Sequence, residues 1–238
     1  MADIAPLSQK ENFCYTGMTM QCHTEKSMRV FKIQFNIVIL FEDDSLIVID
    51  KPAGLLSIAS ETEKERTAYA AVRNYLRKKG EKRQPAVVHR LDKGTSGVML
   101  FVKSALLKQT FMQNWNALIL ERRYEALAEG SLREAGTIAS PIHGAPSVTH
   151  WRAIGTRRVQ NAEYTLLELE LETGRQNQIR IHLAGIAHAV CGDKKFGAKT
   201  NPYKRLCLHA KTLSFVHPKT GETLRFTSAL PGSKSHLW

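Results

Sequence analysis

Apolar positions recur with a period of two where the ordered part of this chain begins. Phe31, Ile33, Phe35, Ile37, Ile39 and Phe41 fall on one face of an extended segment, interrupted by Val38 and Leu40. After an Asp43-Asp44 turn, Ser45-Leu46-Ile47-Val48-Ile49 predicts the next strand. The period then lengthens. Ala68, Ala71, Val72, Tyr75 and Leu76 form the stripe of an amphipathic helix that Thr67 can cap and Gly80 stops, and its outer face carries Arg73, Arg77, Lys78 and Lys79. Ser104 can cap a second helix burying Leu107, Phe111 and Trp115. Further on, Tyr124 to Ala128 predicts a strand, as does the alternation of Leu167, Leu169 and Leu171 with Glu168, Glu170 and Glu172. A short helix is expected over Gln176 to Leu183, and strands over Leu206–Phe215 and Thr223–Phe226, joined by a turn at His217-Pro218-Lys219-Thr220-Gly221.

Strands outnumber helices and do not alternate with them. That pattern predicts an α+β fold with a mixed, mainly antiparallel sheet and flanking helices rather than a wound βαβ array. Residues 1–29 show no period and are expected to be a weakly ordered extension; residues 30–238 form one domain. A length of 238 residues and a hydrophobic fraction of 43% suffice for one large core.

Charge narrows the choice of partner. Lys+Arg number 34 against 22 Asp+Glu, a net charge of +12. From Arg73 to Arg123 there are twelve Lys/Arg and three Asp/Glu, so the positive field is concentrated, as a polyanion partner requires. The N-terminus lacks a basic start followed by a sustained apolar run, and no stretch is long and apolar enough to span a membrane. Cys14, Cys22, Cys191 and Cys207 show no CxxC spacing, which suits free thiols and a cytoplasmic location.

The chemistry concentrates in His89-Arg90-Leu91-Asp92-Lys93-Gly94-Thr95-Ser96-Gly97, set between the apolar runs Ala86–Val88 and Val98–Val102. A tight connection needs only Gly and a small polar residue; this one also places an acid among cations, which favours the ionised carboxylate. Taken alone, such an Asp can serve as nucleophile, base or metal ligand.

This nonapeptide resembles the signature of the RluA-type pseudouridine synthases. Four more regions resemble that family in order: Asp50-Lys51-Pro52-Ala53-Gly54-Leu55; Arg122-Arg123-Tyr124, where Arg122 replaces the usual Lys; Thr173-Gly174-Arg175-Gln176-Asn177-Gln178-Ile179-Arg180, where Asn177 stands for a frequent His; and the closing Gly192–Gly197 and Leu206–Ala210 segments. The likeness spans roughly residues 36 to 231. It implies a bent mixed sheet with the cleft along it, and an RNA uridine isomerase acting on ribosomal or transfer RNA without cofactor or metal; a monomer with no membrane partner is expected. It implies Asp92 as the catalytic carboxylate, Tyr124 as the ring that stacks on the base, and Arg90 as the residue that enters the RNA stack when the uridine leaves. Arg175 is expected to be the cation that pairs with Asp92, delivered by the turn at Gly174. His89, Thr95, Ile179, Lys51 and Arg122 are the further candidates for shaping the cleft or contacting RNA. His182, His188, Cys191, Cys207 and His209 cluster in sequence without metal-ligand spacing, so no zinc site is expected.

Overall fold

The computed structural model describes residues 31–159 and 161–230; the expected extension over residues 1–29 lies outside them. In chain order the elements are β1 (Phe31–Lys32), β2 (Val38–Glu42), β3 (Leu46–Lys51), α1 (Ala68–Lys78), β4 (Ala86–Val87), β5 (Ser96–Val102), α2 (Ala105–Gln113), α3 (Trp115–Leu118), β6 (Ile119–Glu129), β7 (Ala135–Ile138), β8 (Thr149–Val159), β9 (Ala162–Leu171), α4 (Gln178–Gly185), β10 (Leu208–Val216) and β11 (Thr223–Thr227). The strands join one sheet in the order β1-β2-β3-β5-β10-β6-β9-β8-β7, with β4 on β5 and β11 on β10. Every pairing is antiparallel except that of β5 with β10, so the mixed, mainly antiparallel α+β architecture is observed.

Strand periodicity explains how the sheet is buried on both faces. Leu46 and Val48 of β3, with Val98, Leu100 and Val102 of β5, point to a core capped by Leu107 and Phe111 of α2. Their neighbours Ile47, Ile49, Met99 and Phe101 point the other way, onto Ala68, Ala71, Val72 and Leu76 of α1. Both helices start where the sequence predicts: Thr67 Oγ1 accepts from the Ala70 N–H, and Ser104 Oγ from the Leu107 N–H. A third core unites Leu127, Leu167 and Leu169 of β6 and β9 with Ile179 and Leu183 of α4.

Two expectations need correction. The alternation from Phe31 to Phe41 is not one strand: Phe35 and Asn36 take left-handed φ angles of 60° and 57°, and the segment folds back so that Phe31 pairs with Ile39. A period of two does not reveal such a reversal when no Gly marks it. The second helix stops at Gln113, and Trp115 belongs to the next short helix.

Strand β10 is the hub. Its first residues pair with β5, and from Thr212 onward β11 takes that place. At the fork, Gly97 has a φ of +114° and a Cβ built there would lie 2.1 Å from the Ala210 carbonyl oxygen. Only glycine fits, and the fork sits five residues after Asp92.

Candidate active site

The cleft lies where the α1-side core and the α4-side core meet, and Tyr124 packs against both. Asp92, Arg90 and Thr95 line it from the β4–β5 connection, Tyr124 from the middle of β6, and Arg175, Ile179 and Arg180 from the start of α4.

The loop carrying Asp92 is pinned at several points. The Thr95 N–H donates to the Asp92 carbonyl at 3.1 Å, closing a turn, and the Gly54 N–H donates to the Lys93 carbonyl at 2.8 Å. Ser57 Oγ donates to the Leu91 carbonyl at 2.6 Å and accepts from the Leu91 N–H at 3.1 Å. Lys51, a candidate for contacting RNA, is fully buried instead. Its ammonium donates to the carbonyls of Pro52 and Leu55 at 3.0 and 2.8 Å, tying down the loop beneath Asp92. Burial pushes the Lys51 pKa down to about 7, although the Asp92 charge pulls it up.

His89 also turns inward. Its Nε2 accepts from the Leu100 N–H at 2.9 Å, so the neutral ring carries its proton on Nδ1, and it lies 5.7 Å from the Trp115 ring. Burial pushes its pKa down to about 4, with Arg122 adding to the effect. A neutral His89 is a loop anchor and not a cationic phosphate contact. Arg122 is likewise occupied: it donates to the carbonyls of Leu171 and Glu172 at 3.0 and 2.9 Å, clamping the end of β9. A Cβ on Gly174 would lie 2.7 Å from Arg122 Nη1, so a larger residue there would have to displace that guanidinium. Arg90 is exposed at the rim, with no ion pair or hydrogen bond among the described residues.

The ion pair expected from Arg175 is made by Arg180. Arg180 Nη1 donates to Asp92 Oδ2 at 3.0 Å and to Asn177 Oδ1 at 2.6 Å. Its Nε and Nη2 grip both oxygens of Asp193 at 2.6 and 2.7 Å, and the guanidinium lies 4.8 Å from the Phe196 ring centroid. Arg175 lines the same cleft, but its Nε donates to the Pro146 carbonyl at 3.3 Å.

The turn before α4 makes the difference. Buried Gln178 uses its amide in full: Oε1 accepts from Thr173 Oγ1 and the Arg175 N–H, while Nε2 donates to the Val148 carbonyl and Thr149 Oγ1. This fixes the Arg175 backbone in the turn, and Asn177 takes a left-handed φ of 58° to start the helix. Arg180 follows three residues later on the same helical face and reaches Asp92. Sequence reading passed over Arg180 and Asp193 although both stand in matched motifs; the i, i+3 spacing of Asn177 and Arg180 at a helix start was the available signal.

Arg180 engages only one oxygen of Asp92. Among the described residues no hydrogen bond reaches Oδ1. The side chain is 26% exposed, whereas Asp193 is 2% exposed, so the buried carboxylate holds the guanidinium and the guanidinium orients the accessible one. Burial raises the Tyr124 hydroxyl pKa; Arg122 offsets part of that and the Asp92 charge adds to it, so the phenol stays protonated. The site offers one free carboxylate oxygen, a protonated phenol and an exposed guanidinium around an open cleft.

The metal-type side chains of the late segment are spread among separate partners: His182 bonds to Thr149 and Ser140, His188 to Glu129, and His209 to Ser96 and Ser228. Among the described residues no three such groups converge.

Residues 45–185 match the family model described as RNA pseudouridylate synthase. An uncharacterized RNA pseudouridine synthase of Bacillus subtilis (strain 168) is 35% identical over 214 residues, covering 84% of this chain and 70% of the relative. A ribosomal large subunit pseudouridine synthase D of Haemophilus influenzae is 32% identical over 240 residues, covering 89% and 72% respectively. The solved structure of human RNA pseudouridylate synthase domain containing 1 superposes with a TM-score of 0.67 at 20% identity, over 82% of this chain and 84% of that one. That likeness supports the fold, and the sequence matches cover most of the chain together with its cleft. The chain therefore belongs to the RNA pseudouridylate synthase family.

Proposed function

We propose that this protein isomerises uridine to pseudouridine in a structured ribosomal or transfer RNA, with Asp92 as the catalytic carboxylate. The observation that carries this reading is the state of Asp92: Oδ2 is held by Arg180, Oδ1 is unengaged among the described residues, and the residue lines the cleft together with Tyr124.

The reaction breaks the bond between ribose C1′ and uracil N1 and forms one between C1′ and C5. A proton leaves C5 and one is gained at N1, so substrate and product share one formula and no co-substrate is needed. Asp92 supplies the negative oxygen, as nucleophile at the sugar or as proton acceptor. Arg180 keeps that oxygen aimed, Tyr124 stacks on the detached uracil, and Ile179 and Thr95 wall the pocket. Arg90 fills the gap left when the uridine swings out, offsetting an unstacking cost of a few kcal/mol. The cationic surface supplies affinity for the phosphodiester backbone. Several relatives are named ribosomal large subunit pseudouridine synthase D, which makes the RNA of that subunit the first substrate to test. Among the described residues no helix is long and apolar enough to cross a membrane, and an enzyme acting on ribosomal RNA would work in the cytoplasm.

The test uses an unmodified large-subunit ribosomal RNA transcript and maps pseudouridine chemically after incubation. The wild-type protein should convert discrete uridines. Asp92→Asn should convert none while binding the transcript with unchanged affinity. Retained conversion in that variant would overturn the role of Asp92. A wild-type protein that binds RNA and converts nothing, in this transcript or in transfer RNA, would make the chain a binding protein.

A further inference from the structure

A second concave site lies away from the cleft. About 670 Å3 in volume, it sits between the last turns of α1 and the segment that follows, and is lined by Arg73, Arg77, Lys82 and Arg83 together with Glu81. Residues 73–84 hold six cations and a single acid. That acid is already neutralised: Glu81 Oε1 takes a 2.8 Å bond from Lys103, and Oε2 lies 3.1 Å from Arg83. Arg83 also donates to the Asp44 carbonyl, which fixes the far wall against the β2–β3 turn. Arg77 and Lys82 are exposed, and neither side chain has an ion pair or hydrogen bond among the described residues.

The helix dipole accounts for some of this charge, because cations stabilise a helix C-terminus and Arg77 and Lys78 stand in the last turn. It does not account for Lys82 and Arg83 beyond the helix end, nor for Arg73 in mid-helix, which lies 3.7 Å from the exposed Glu65 carboxylate. Solubility would not require them to converge on one hollow.

The hollow is mechanically linked to the cleft. The N-terminal end of α1 is tied to Leu56 and Ser57 by backbone bonds from Ala68 and Tyr69, and Ser57 grips Leu91, the neighbour of Asp92. Helix α1 and Leu91 also share one core on one face of the sheet. At ~1.5 Å per residue, Arg77 lies ~14 Å along the axis from Ala68.

Building on the proposed function, we infer that this hollow is a second RNA-docking surface, one that takes the phosphodiester backbone of the same RNA whose uridine enters the cleft. It holds the flanking stem by charge without reading bases, so it contributes affinity and register but no chemistry.

The full-length Arg77→Glu/Lys82→Glu variant tests this, alongside the neutral Arg77→Gln/Lys82→Gln pair. Affinity is measured by fluorescence anisotropy for a labelled RNA hairpin and for a uridine-centred pentanucleotide, across a range of salt concentrations. For the hairpin, the charge-reversed variant should bind at least ~10-fold more weakly, and the slope of log affinity against log salt should shrink by ~2, the counterions of two phosphates. The neutral pair should show the same slope change with a smaller loss, and the pentanucleotide should bind both variants as it binds wild type. Unchanged hairpin affinity and slope would reduce the hollow to a solvated face. An equal loss for the pentanucleotide would place the effect in the cleft. Should wild-type protein bind neither RNA at low salt, the proposed function itself fails, a result distinct from both.

Discussion

Arg180 donates to four oxygens on three residues with a planar fork, and no other cation type can copy that arrangement. Lysine would keep the charge but lose the two-point grip on Asp193. Arg180→Lys should therefore lower kcat roughly 100-fold, the scale of a small misplacement of a reacting group, with KM little changed. Arg175→Lys, at the position sequence reading favoured, should cost no more than a few-fold. Steady-state kinetics on the same RNA compares them, and an equal loss at both positions would mean that Arg175 moves onto Asp92 when RNA binds. The identity of Asp92 was legible because a motif surrounds it. Its partner was not, since a glycine turn and a helix start both offer an arginine and only the fixed amide of Gln178 decides between them.

Among the elements, the fork at β10 bears a severe steric constraint. An alanine at Gly97 would collide with the Ala210 carbonyl, and β5 and β10 could accommodate it only by separating. Gly97→Ala should destabilise by at least ~3 kcal/mol, the upper end of overpacking costs, and displace the Asp92 loop. Gly221 has a similar backbone problem, a φ of +74°, but open space around it. Gly221→Ala should cost only the left-handed strain, ~1–2 kcal/mol. Urea denaturation separates the two, and comparable losses would refute the steric account. Helices α1 and α2 could be read from capping residues and apolar stripes. The β1–β2 reversal could not, because Phe35 and Asn36 adopt left-handed angles that their residue types do not announce.

Across the whole molecule, buried histidines make stability depend on pH. His209 is fully buried; its Nε2–H donates to the Ser228 carbonyl at 3.0 Å and its Nδ1 accepts from Ser96 Oγ at 2.8 Å, so the neutral ring is satisfied and the imidazolium is not. Burial lowers its pKa to about 4, as it does that of His89, against 6.5 for the free group. Between those values the unfolded chain binds more protons than the folded one, so stability falls as pH drops from about 6.5 to about 4. Asp50 works the other way: burial raises its pKa to about 6 from 3.8, and it takes up a proton in the folded state over much of the same range. Two histidines outweigh one aspartate, and the net slope should be a loss on acidification. Urea midpoints between pH 7 and pH 4 measure it; His209→Gln should flatten the curve, and a midpoint constant to pH 4 would contradict the assignment.

Period, capping and charge are local properties, and local properties were enough to determine the α+β class, the two capped helices, the cationic excess and the loop that bears Asp92. Which arginine meets that carboxylate depended on how distant segments were brought together, as did the burial of Lys51, the engagement of His89 and Arg122 by backbone groups and the gathering of Arg73, Arg77, Lys82 and Arg83 around one hollow. A residue's type sets the bonds it can make. Its burial, and the donors and acceptors left within reach after packing, set the bonds it does make, and those are settled only when the strands close on β10.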